Sequence, residues 1–317
     1  MVLEPMENNN DLMDNKYFEY VSCPICGIDN VSLFFSVPYG KLKQKKSLDY
    51  SILGINKNTV LTVSKCKNCK FVFTNPRIRK GYEEIVYNES KQNLYKNNKT
   101  FIIGTTENSN FSRGRKLQHL PTLLKMLNLI STDDSIKIFD FGCGFGHTLS
   151  LAKEFGIDGM GIEIDNFRLG YCKKLGLNVY TPDEFKAEFL NLKFDLIICQ
   201  SVIEHITDLD EFLLIIDSIS KENTVLFTNA VTPKLIKIEN KKGKFVKAHF
   251  LEHVNYFYGT TLDFFMRKVA FYPFKKKIVL VNGRKIFIPL TLIRILRRDK
   301  GFFERIYIKR RKSYEGI

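Results

Sequence analysis

The stretch 136–165 constrains the fold more than any other part of this 317-residue chain. It opens on a short, apolar, β-rich run that ends at Phe141. Three glycines at alternate positions follow this run: Gly142, Gly144 and Gly146. A buried strand that leads into spaced glycines predicts a strand-to-helix turn, because glycine tolerates positive φ and lets a ligand approach the backbone. We expect the next helix to begin near Phe145 and to offer its unpaired amides to polar groups of a ligand.

An acidic residue stands where nucleotide-binding turns of this kind place one. Glu163 ends a second predicted strand, about twenty residues downstream of the turn, where a carboxylate can bind ribose hydroxyls. Spaced glycines alone also occur in ordinary strand–helix turns, but here the strand, the helix and the carboxylate accompany them. The stretch therefore predicts a nucleotide-cofactor site.

Strands and helices are expected to alternate through the region that follows. The predicted strands cover residues 136–141, 159–164, 194–199 and 224–228, with helices between them that include residues 209–219. Such alternation implies an α/β fold with a mostly parallel sheet that is covered on both faces.

Two segments resemble the class I S-adenosylmethionine-dependent methyltransferases. Residues 140–146, Asp-Phe-Gly-Cys-Gly-Phe-Gly, are similar to the first motif of that family, in which an aspartate opens the glycine turn. Residues 194–205 resemble its fourth strand and the loop beside the methyl donor. The resemblance implies a Rossmann-like sheet and S-adenosylmethionine as cofactor. The cofactor-binding residues that we assign are Asp140, Gly142, Gly144, Gly146, Glu163 and Gln200.

Four of the seven cysteines form two C-x2-C pairs, and the metal ligands that we assign are Cys23, Cys26, Cys66 and Cys69. Each pair can direct two thiolates at one tetrahedral Zn²⁺ if the intervening loop brings the pairs together. Redox or merely structural thiols are the alternative, because the pairs are further apart than in a minimal zinc ribbon. With the sequence Phe-Val-Phe-Thr-Asn-Pro-Arg at residues 71–77, this small N-terminal zinc-binding module resembles that of sugar C-methyltransferases.

Two histidines follow predicted strands of the sheet. His205 lies beyond the fourth strand, and His253 lies beyond the fifth with Glu252 beside it. A neutral imidazole can accept a substrate proton, and an adjacent carboxylate can orient the ring or raise its basicity. In the sugar C-methyltransferases a comparable Tyr-x-Glu-His segment carries the presumed base, although Phe250 replaces the tyrosine here. We expect His253, Glu252 and His205 to be catalytic, and a packing role over the cofactor is the alternative.

The order of these patterns predicts five segments: a disordered N-terminus (1–18), a zinc-binding module (19–85), a helical connector (86–130), a class I methyltransferase domain (131–290) and a basic C-terminal tail (291–317). Asn282-Gly283 between apolar runs is typical of a β-hairpin, which we expect to supply an antiparallel strand of the sheet.

The formal net charge of +15 is concentrated near the C-terminus, since residues 271–317 contain 14 Lys and Arg against three Asp and Glu. This basic stretch predicts a peripheral membrane or polyanion contact, and a solvated face over a small local core is the alternative. Residues 1–16 lack a signal-peptide core, and no apolar run reaches the roughly 18 residues of a membrane span, so a cytoplasmic location is expected.

Two functions fit these observations. The first is methyl transfer to carbon or oxygen of a small molecule, chiefly a nucleotide-linked or other glycan-precursor sugar. The second is a zinc-ribbon nucleic-acid-binding protein or RNA methyltransferase. Base-methylating enzymes often carry Asn/Asp-Pro-Pro-aromatic after the fourth strand, whereas this chain has Cys-Gln-Ser at residues 199–201 and no interleaved aromatic–basic platform. We therefore expect a small-molecule substrate and no nucleic acid.

Overall fold

The computed structural model describes residues 16–42, 50–86, 110–130, 135–236, 251–274, 276–281, 284–289 and 302–311. These residues form two compact units, and each unit is assembled from separate stretches of the chain. The first unit takes its described residues from Met1–Lys99, Glu204–Leu209 and Pro233–Tyr258. The second unit takes its described residues from Thr100–Ile203, Asp210–Thr232 and Gly259–Ile317. The sequence predicted contiguous modules instead, because local patterns cannot show that two loops of the sheet domain join the N-terminal module.

The first unit contains six short strands: β1 (Phe18–Glu19), β2 (Val31–Pro38), β3 (Val60–Cys66), β4 (Val72–Thr74), β5 (Arg77–Ile78) and β11 (Asn255–Tyr256). Strands β11, β4, β3 and β2 form a four-stranded sheet in that order, with antiparallel pairing throughout. Strands β1 and β5 pair separately. Strands β2, β3 and β4 therefore adjoin the cysteine pairs, and β11 comes from a part of the chain that the sequence assigned to another domain.

The second unit contains alternating strands and helices, as the sequence predicted. Its helices are α1 (Asn110–Leu127), α2 (His147–Glu154), α3 (Asn166–Lys174), α4 (Pro182–Glu188), α5 (Leu209–Ile219) and α6 (Gly259–Arg267). Its strands are β6 (Lys137–Phe141), β7 (Asp158–Ile162), β8 (Asn178–Tyr180), β9 (Phe194–Cys199), β10 (Ser220–Val231), β12 (Phe271–Pro273), β13 (Lys276–Val281), β14 (Arg284–Pro289) and β15 (Phe302–Lys309).

The main sheet of the second unit has seven strands in the order β12-β15-β10-β9-β6-β7-β8. Strands β8, β7, β6, β9 and β10 are parallel to their neighbours in this order. All six residues of β9 are buried, as expected for a central strand with both faces covered. The Rossmann-like α/β prediction is confirmed. The sequence did not predict β8 or α4, although α4 begins with a recognisable capping box between Thr181 and Glu184.

The antiparallel strand of the main sheet comes from a different place than expected. Strands β13 and β14 do form an antiparallel hairpin, but it makes a sheet of its own; the turn residues 282–283 lie outside the described residues. Strand β15 pairs antiparallel with both β10 and β12. Part of the basic tail assigned to residues 291–317 is therefore an inner strand of the sheet.

Buried polar contacts hold β15 in place. Tyr307 is fully buried and donates a hydrogen bond of 2.8 Å to Asp263 Oδ1. Lys309 donates to the Val269 carbonyl at 2.7 Å and forms an ion pair with Asp217. The positive charge of Lys309 is therefore paired within the second unit. A count of charges along the sequence could not reveal this pairing.

Other expectations fall partly outside the described residues. These comprise residues 1–15 of the expected disordered N-terminus, residues 87–109 of the helical connector, and residues 291–301 and 312–317 of the basic tail. The described part of the connector is mainly α1. Within the part of the chain that the structure describes, no helix combines the length and the apolar character needed to cross a bilayer.

Candidate functional site

The glycine turn of the second unit lies between β6 and α2. Gly142, Gly144 and Gly146 have φ angles of 70°, 59° and 66°. A Cβ atom at Gly142 would lie 2.6 Å from Val202 Cγ2, and one at Gly146 would lie 2.5 Å from Leu177 Cδ1. The backbone conformation and the neighbouring side chains therefore both require glycine at these two positions. A Cβ atom at Gly144 would meet nothing within 4 Å, so the predicted approach of a ligand to the backbone is possible at that position.

Glu163 lies immediately after β7 and contacts this turn. Its Oε2 accepts a hydrogen bond of 2.8 Å from the Gly144 amide, and its Oε1 accepts one of 2.9 Å from the Asp165 amide. The Arg168 guanidinium lies 3.9 Å from Glu163 Oε2. A carboxylate has about four acceptor positions, so these two hydrogen bonds leave capacity for ribose hydroxyls. The residue has a structural role in shaping the turn, and its ribose-binding role stays a prediction.

Asp140 is the second buried carboxylate of the turn, with 4% of its surface exposed. Burial raises the pKa of the Asp140 carboxyl from 3.8 to about 7; the nearby charge of Glu163 adds to the shift, and a hydrogen bond from the Thr148 side chain opposes it. The Thr148 hydroxyl also lies 3.2 Å from His119 Nδ1. Asp140 is thus linked through Thr148 to helix α1, a contact that the sequence analysis missed because no local spacing indicates it.

Gln200 follows β9 directly and is half-buried. Strand β9 pairs with β6 in parallel, so the carboxyl ends of both strands lie at the same edge of the sheet. Open α/β sheets bind ligands at that edge. The next residue, Ser201, has a positive φ of 56° and its amide donates to Asn229 Oδ1 at 2.5 Å. Asn229 therefore orders the loop after β9, and it was not among the predicted residues.

An aromatic group adjoins the glycine turn. The Phe145 ring contacts Tyr171 and Phe167 edge-on, with centroid separations of 5.5 Å and 6.3 Å. The Arg168 guanidinium lies over Phe145, 5.4 Å from the ring centroid. Phe167 and Ile164 remain exposed. Apolar surface of this kind beside a carboxylate and a glycine turn fits a nucleoside ligand. The sequence signal for this surface was the apolar residue Ile164 directly after Glu163.

The four predicted zinc ligands come together in the first unit. All four sulfur atoms lie within 4.8 Å of one another. Cys23 Sγ is 3.5 Å from Cys69 Sγ, and Cys26 Sγ is 3.6 Å from Cys66 Sγ. Zn–S bonds of about 2.3 Å in a tetrahedron place sulfur atoms about 3.8 Å apart, so the cluster has the dimensions of a metal centre. All four are free cysteines.

The electrostatic environments of these thiols differ. Burial raises the pKa of Cys23 well above its ordinary value and that of Cys69 to about 11. Burial also acts to raise the pKa of Cys26, but hydrogen bonds from the Ile28 backbone and the Asn68 side chain outweigh it and lower the value to about 6. Four thiolates this close together repel one another, so all four can ionise together only when a cation binds them.

The predicted catalytic histidines also meet in the first unit. The rings of His205 and His253 are 4.8 Å apart between centroids, at an angle of 62°. Their ligand-type atoms and a carboxylate oxygen of Glu204 all lie within 4.8 Å of one another. Burial raises the pKa of the Glu204 carboxyl to about 7. The carboxylate grouped with the histidines is therefore Glu204, which sequence reasoning did not single out.

Glu252 has a different contact from the one expected. Its backbone carbonyl lies 2.8 Å from His205 Nδ1, and its side chain lines a shallow pocket with His205, Glu83 and Leu251. The expectation that the Glu252 carboxylate orients His253 rested on adjacency in the sequence. Glu252 is the last helical residue before His253, so adjacency in the sequence does not by itself place its carboxylate against the His253 ring.

A model of a protein family described as "Methyltransferase domain" matches residues 113–272, which is half of the chain. The chain belongs to this family. The match covers the glycine turn, Glu163 and the strand alternation, so the prediction of an S-adenosylmethionine-dependent methyltransferase is confirmed. This cofactor carries an activated methyl group on sulfur, and the Gly142–Gly146 turn with Glu163 fits its nucleoside.

The methyltransferase has distant likenesses among solved structures. One is a SAM-dependent methyltransferase, possible histamine N-methyltransferase, from Thermotoga maritima, with 18% identity, a TM-score of 0.45, and coverage of 72% of this chain and 100% of that one. Another is magnesium protoporphyrin IX methyltransferase from Synechocystis PCC 6803 with bound SAH, with 12% identity, a TM-score of 0.46, and coverage of 71% and 98%. No curated protein matches the sequence.

Replacement of Glu163 tests the donor site. Glu163→Ala should weaken the binding of S-adenosylmethionine and of its demethylated product by about 1–3 kcal/mol, because hydrogen bonds to a charged acceptor are lost. Isothermal titration calorimetry measures this change, with Glu188→Ala, a change at an exposed residue of α4, as the control. Absence of binding to the wild-type methyltransferase would contradict the assignment of the site.

The raised pKa of Asp140 predicts a pH dependence of stability. Between about pH 4 and 7 the folded donor-free protein holds a proton that the unfolded chain has released, so the free energy of unfolding should fall as the pH rises through this range. Asp140→Asn removes the ionisation and keeps an acceptor for Thr148. The stability difference between variant and wild type, measured by urea unfolding, should shift in favour of Asp140→Asn by about 1–3 kcal/mol from pH 5 to pH 8. Parallel pH profiles would exclude Asp140 as the titrating group.

Proposed function

We propose that this methyltransferase transfers the methyl group of S-adenosylmethionine to carbon or oxygen of a nucleotide-linked or other glycan-precursor sugar. The support comes from two segments that separately resemble sugar C-methyltransferases: residues 71–77 and the Glu-His pair at residues 252–253. These segments are far apart in the sequence. A shared role for them is reasonable only if the fold brings them together.

The observation that carries the proposal is that β4, from the first segment, pairs with β11, which follows the second segment directly in the chain. Strand β4 pairs with β11, with Phe73 opposite Asn255. The Thr74 amide donates to the Val254 carbonyl at 3.0 Å, and the Thr74 hydroxyl donates to the His253 carbonyl at 3.0 Å. The segment that carries His253 is therefore built onto the sheet of the cysteine module. A module that would otherwise have only a metal-binding role thus also positions polar residues suited to binding a substrate.

An acceptor screen tests this proposal. Purified enzyme with S-adenosylmethionine should add one methyl group to a nucleotide-linked sugar, and the demethylated donor should accumulate only when the acceptor is present. Mass spectrometry of both products provides the measurement, and Glu163→Ala, which loses donor contacts, should show reduced turnover at limiting donor. Methylation of RNA, with none of the sugars modified under the same conditions, would overturn the sugar proposal and favour the nucleic-acid alternative.

We further propose that Cys23, Cys26, Cys66 and Cys69 bind one Zn²⁺ ion that stabilises the first unit. Metal binding would add to its folding free energy, because the ion would hold together two loops that are far apart in the sequence. The close approach of the four sulfur atoms supports this proposal.

Metal analysis should find one zinc per chain at the cysteine cluster. Cys66→Ser should release it and unfold the first unit, because a hydroxyl is a poor replacement for a thiolate ligand. Cys199→Ala provides a matched control, since Cys199 is a buried cysteine of β9 outside the cluster. Zinc bound equally well by Cys66→Ser, or none in wild-type protein prepared without chelator, would contradict the proposal.

A further inference from the structure

The group formed by Glu204, His205 and His253 contains two imidazoles and one carboxylate, the combination that binds first-row transition metals at many protein sites. One ligand-type atom from each residue lies within 4.8 Å of the other two. Glu204 and His253 are both buried, with 1% and 7% of their surface exposed. The group lies in the same unit as the cysteine cluster but shares no residue with it.

The orientation of His205 is determined by a main-chain contact. Its Nδ1 atom lies 2.8 Å from the Glu252 carbonyl oxygen, and a carbonyl can only accept a hydrogen bond. Nδ1 therefore carries the proton, and Nε2 carries the lone pair. Metal-binding histidines commonly have this arrangement, in which a carbonyl holds the other ring nitrogen and fixes the tautomer.

The spacing of the two rings matches that of imidazoles that share one ion. Metal–nitrogen bonds of about 2.1 Å with angles between about 90° and 110° place the ring centroids about 4.6–5.3 Å apart. The observed separation between the His205 and His253 centroids is 4.8 Å. The interplanar angle of 62° also excludes a simple parallel stack of the two rings.

Glu204 provides a second, independent indication of a bound cation. Its Oε2 atom is fully buried and has no hydrogen-bond partner among the residues that the structure describes. Burial of a polar atom without a partner is costly. The backbone here is well fixed, because the Glu204 carbonyl accepts from the Val254 amide at 2.8 Å and the Asn255 amide at 3.0 Å. The unpartnered oxygen is therefore held beside the two imidazoles by the fold.

We propose that Glu204, His205 and His253 bind one divalent first-row transition-metal ion, with Zn²⁺ or Co²⁺ as suitable probes. Three protein ligands leave a coordination position open for water or for an oxygen atom of a ligand. Both imidazole lone pairs are then used in metal binding. This role is an alternative to the proton-accepting role that the sequence suggested for His253, and it does not depend on the identity of the methyl acceptor.

Cobalt titration of the full-length, tag-free protein tests the proposal. Sulfur ligands give Co²⁺ an intense ligand-to-metal charge-transfer band, whereas nitrogen and oxygen ligands give only weak visible bands, so the two sites can be distinguished in one spectrum. We expect wild-type protein to bind one Co²⁺ at a site without sulfur ligands, in addition to any ion at the cysteine cluster. Glu204→Gln and His253→Gln should each weaken the binding at this site at least tenfold, and the sulfur band should persist.

Glu252→Gln is the matched control, because Glu252 contacts His205 through its backbone carbonyl, which the substitution retains. It should bind the second Co²⁺ as wild type does, and circular dichroism confirms folding of each variant. Wild-type protein that binds Co²⁺ only through sulfur overturns the proposal, even if the substituted proteins fail to fold. Equal binding at the second site by wild type and both Gln variants overturns it as well. The readout is metal binding and not turnover, so failure of the sugar proposal would leave this result unaffected.

Discussion

The glycine turn after β6 depends on one carboxylate that accepts hydrogen bonds from two backbone amides. Glu163 accepts hydrogen bonds from Gly144 in the turn after β6 and from Asp165 at the start of the next helical segment. Strands β6 and β7 are parallel neighbours, so their carboxyl ends lie at the same edge of the sheet and one side chain can reach both loops. This bridge holds the glycine turn in its left-handed conformation. The ligand-facing backbone is thereby preformed, which reduces the entropy that donor binding must overcome.

The first unit is organised by a different constraint. Besides a buried core that includes Val63, Phe71 and Phe73, it contains links between distant parts of the chain. The two cysteine pairs come together although about 40 residues separate them, and β11 adds a fourth strand from beyond residue 250. The Glu204 carbonyl accepts hydrogen bonds from the amides of Val254 and Asn255 at the start of β11. Chemical groups that were scattered along the sequence are consequently concentrated in one small unit.

Predictions from the sequence succeeded where the physical cause is local. Helix α5 and strand β9 have the bounds that their hydrophobic patterns predicted, because burial imposes a fixed period on each element. The cysteine spacing predicted a cluster, since a C-x2-C knuckle directs both thiols to one side. The expected antiparallel strand was misplaced because β13, β14 and β15 all have strand-like patterns. Only the partners available in the folded unit, such as Asp263 for Tyr307, determine which of them enters the sheet.

The sequence by itself determined the class of fold, the glycine turn, the acidic residue after the second strand and the two cysteine pairs. All of these depend on residues within a few positions of one another, where backbone geometry links spacing directly to structure. Only the tertiary structure decided that the Glu204 carboxylate lies beside both histidines, and that Asp140 connects through Thr148 to His119. Thr148 and His119 are 29 positions apart in the sequence, and Glu204 and His253 are further apart still. No local periodicity encodes such pairs, because they result from the way whole elements pack together.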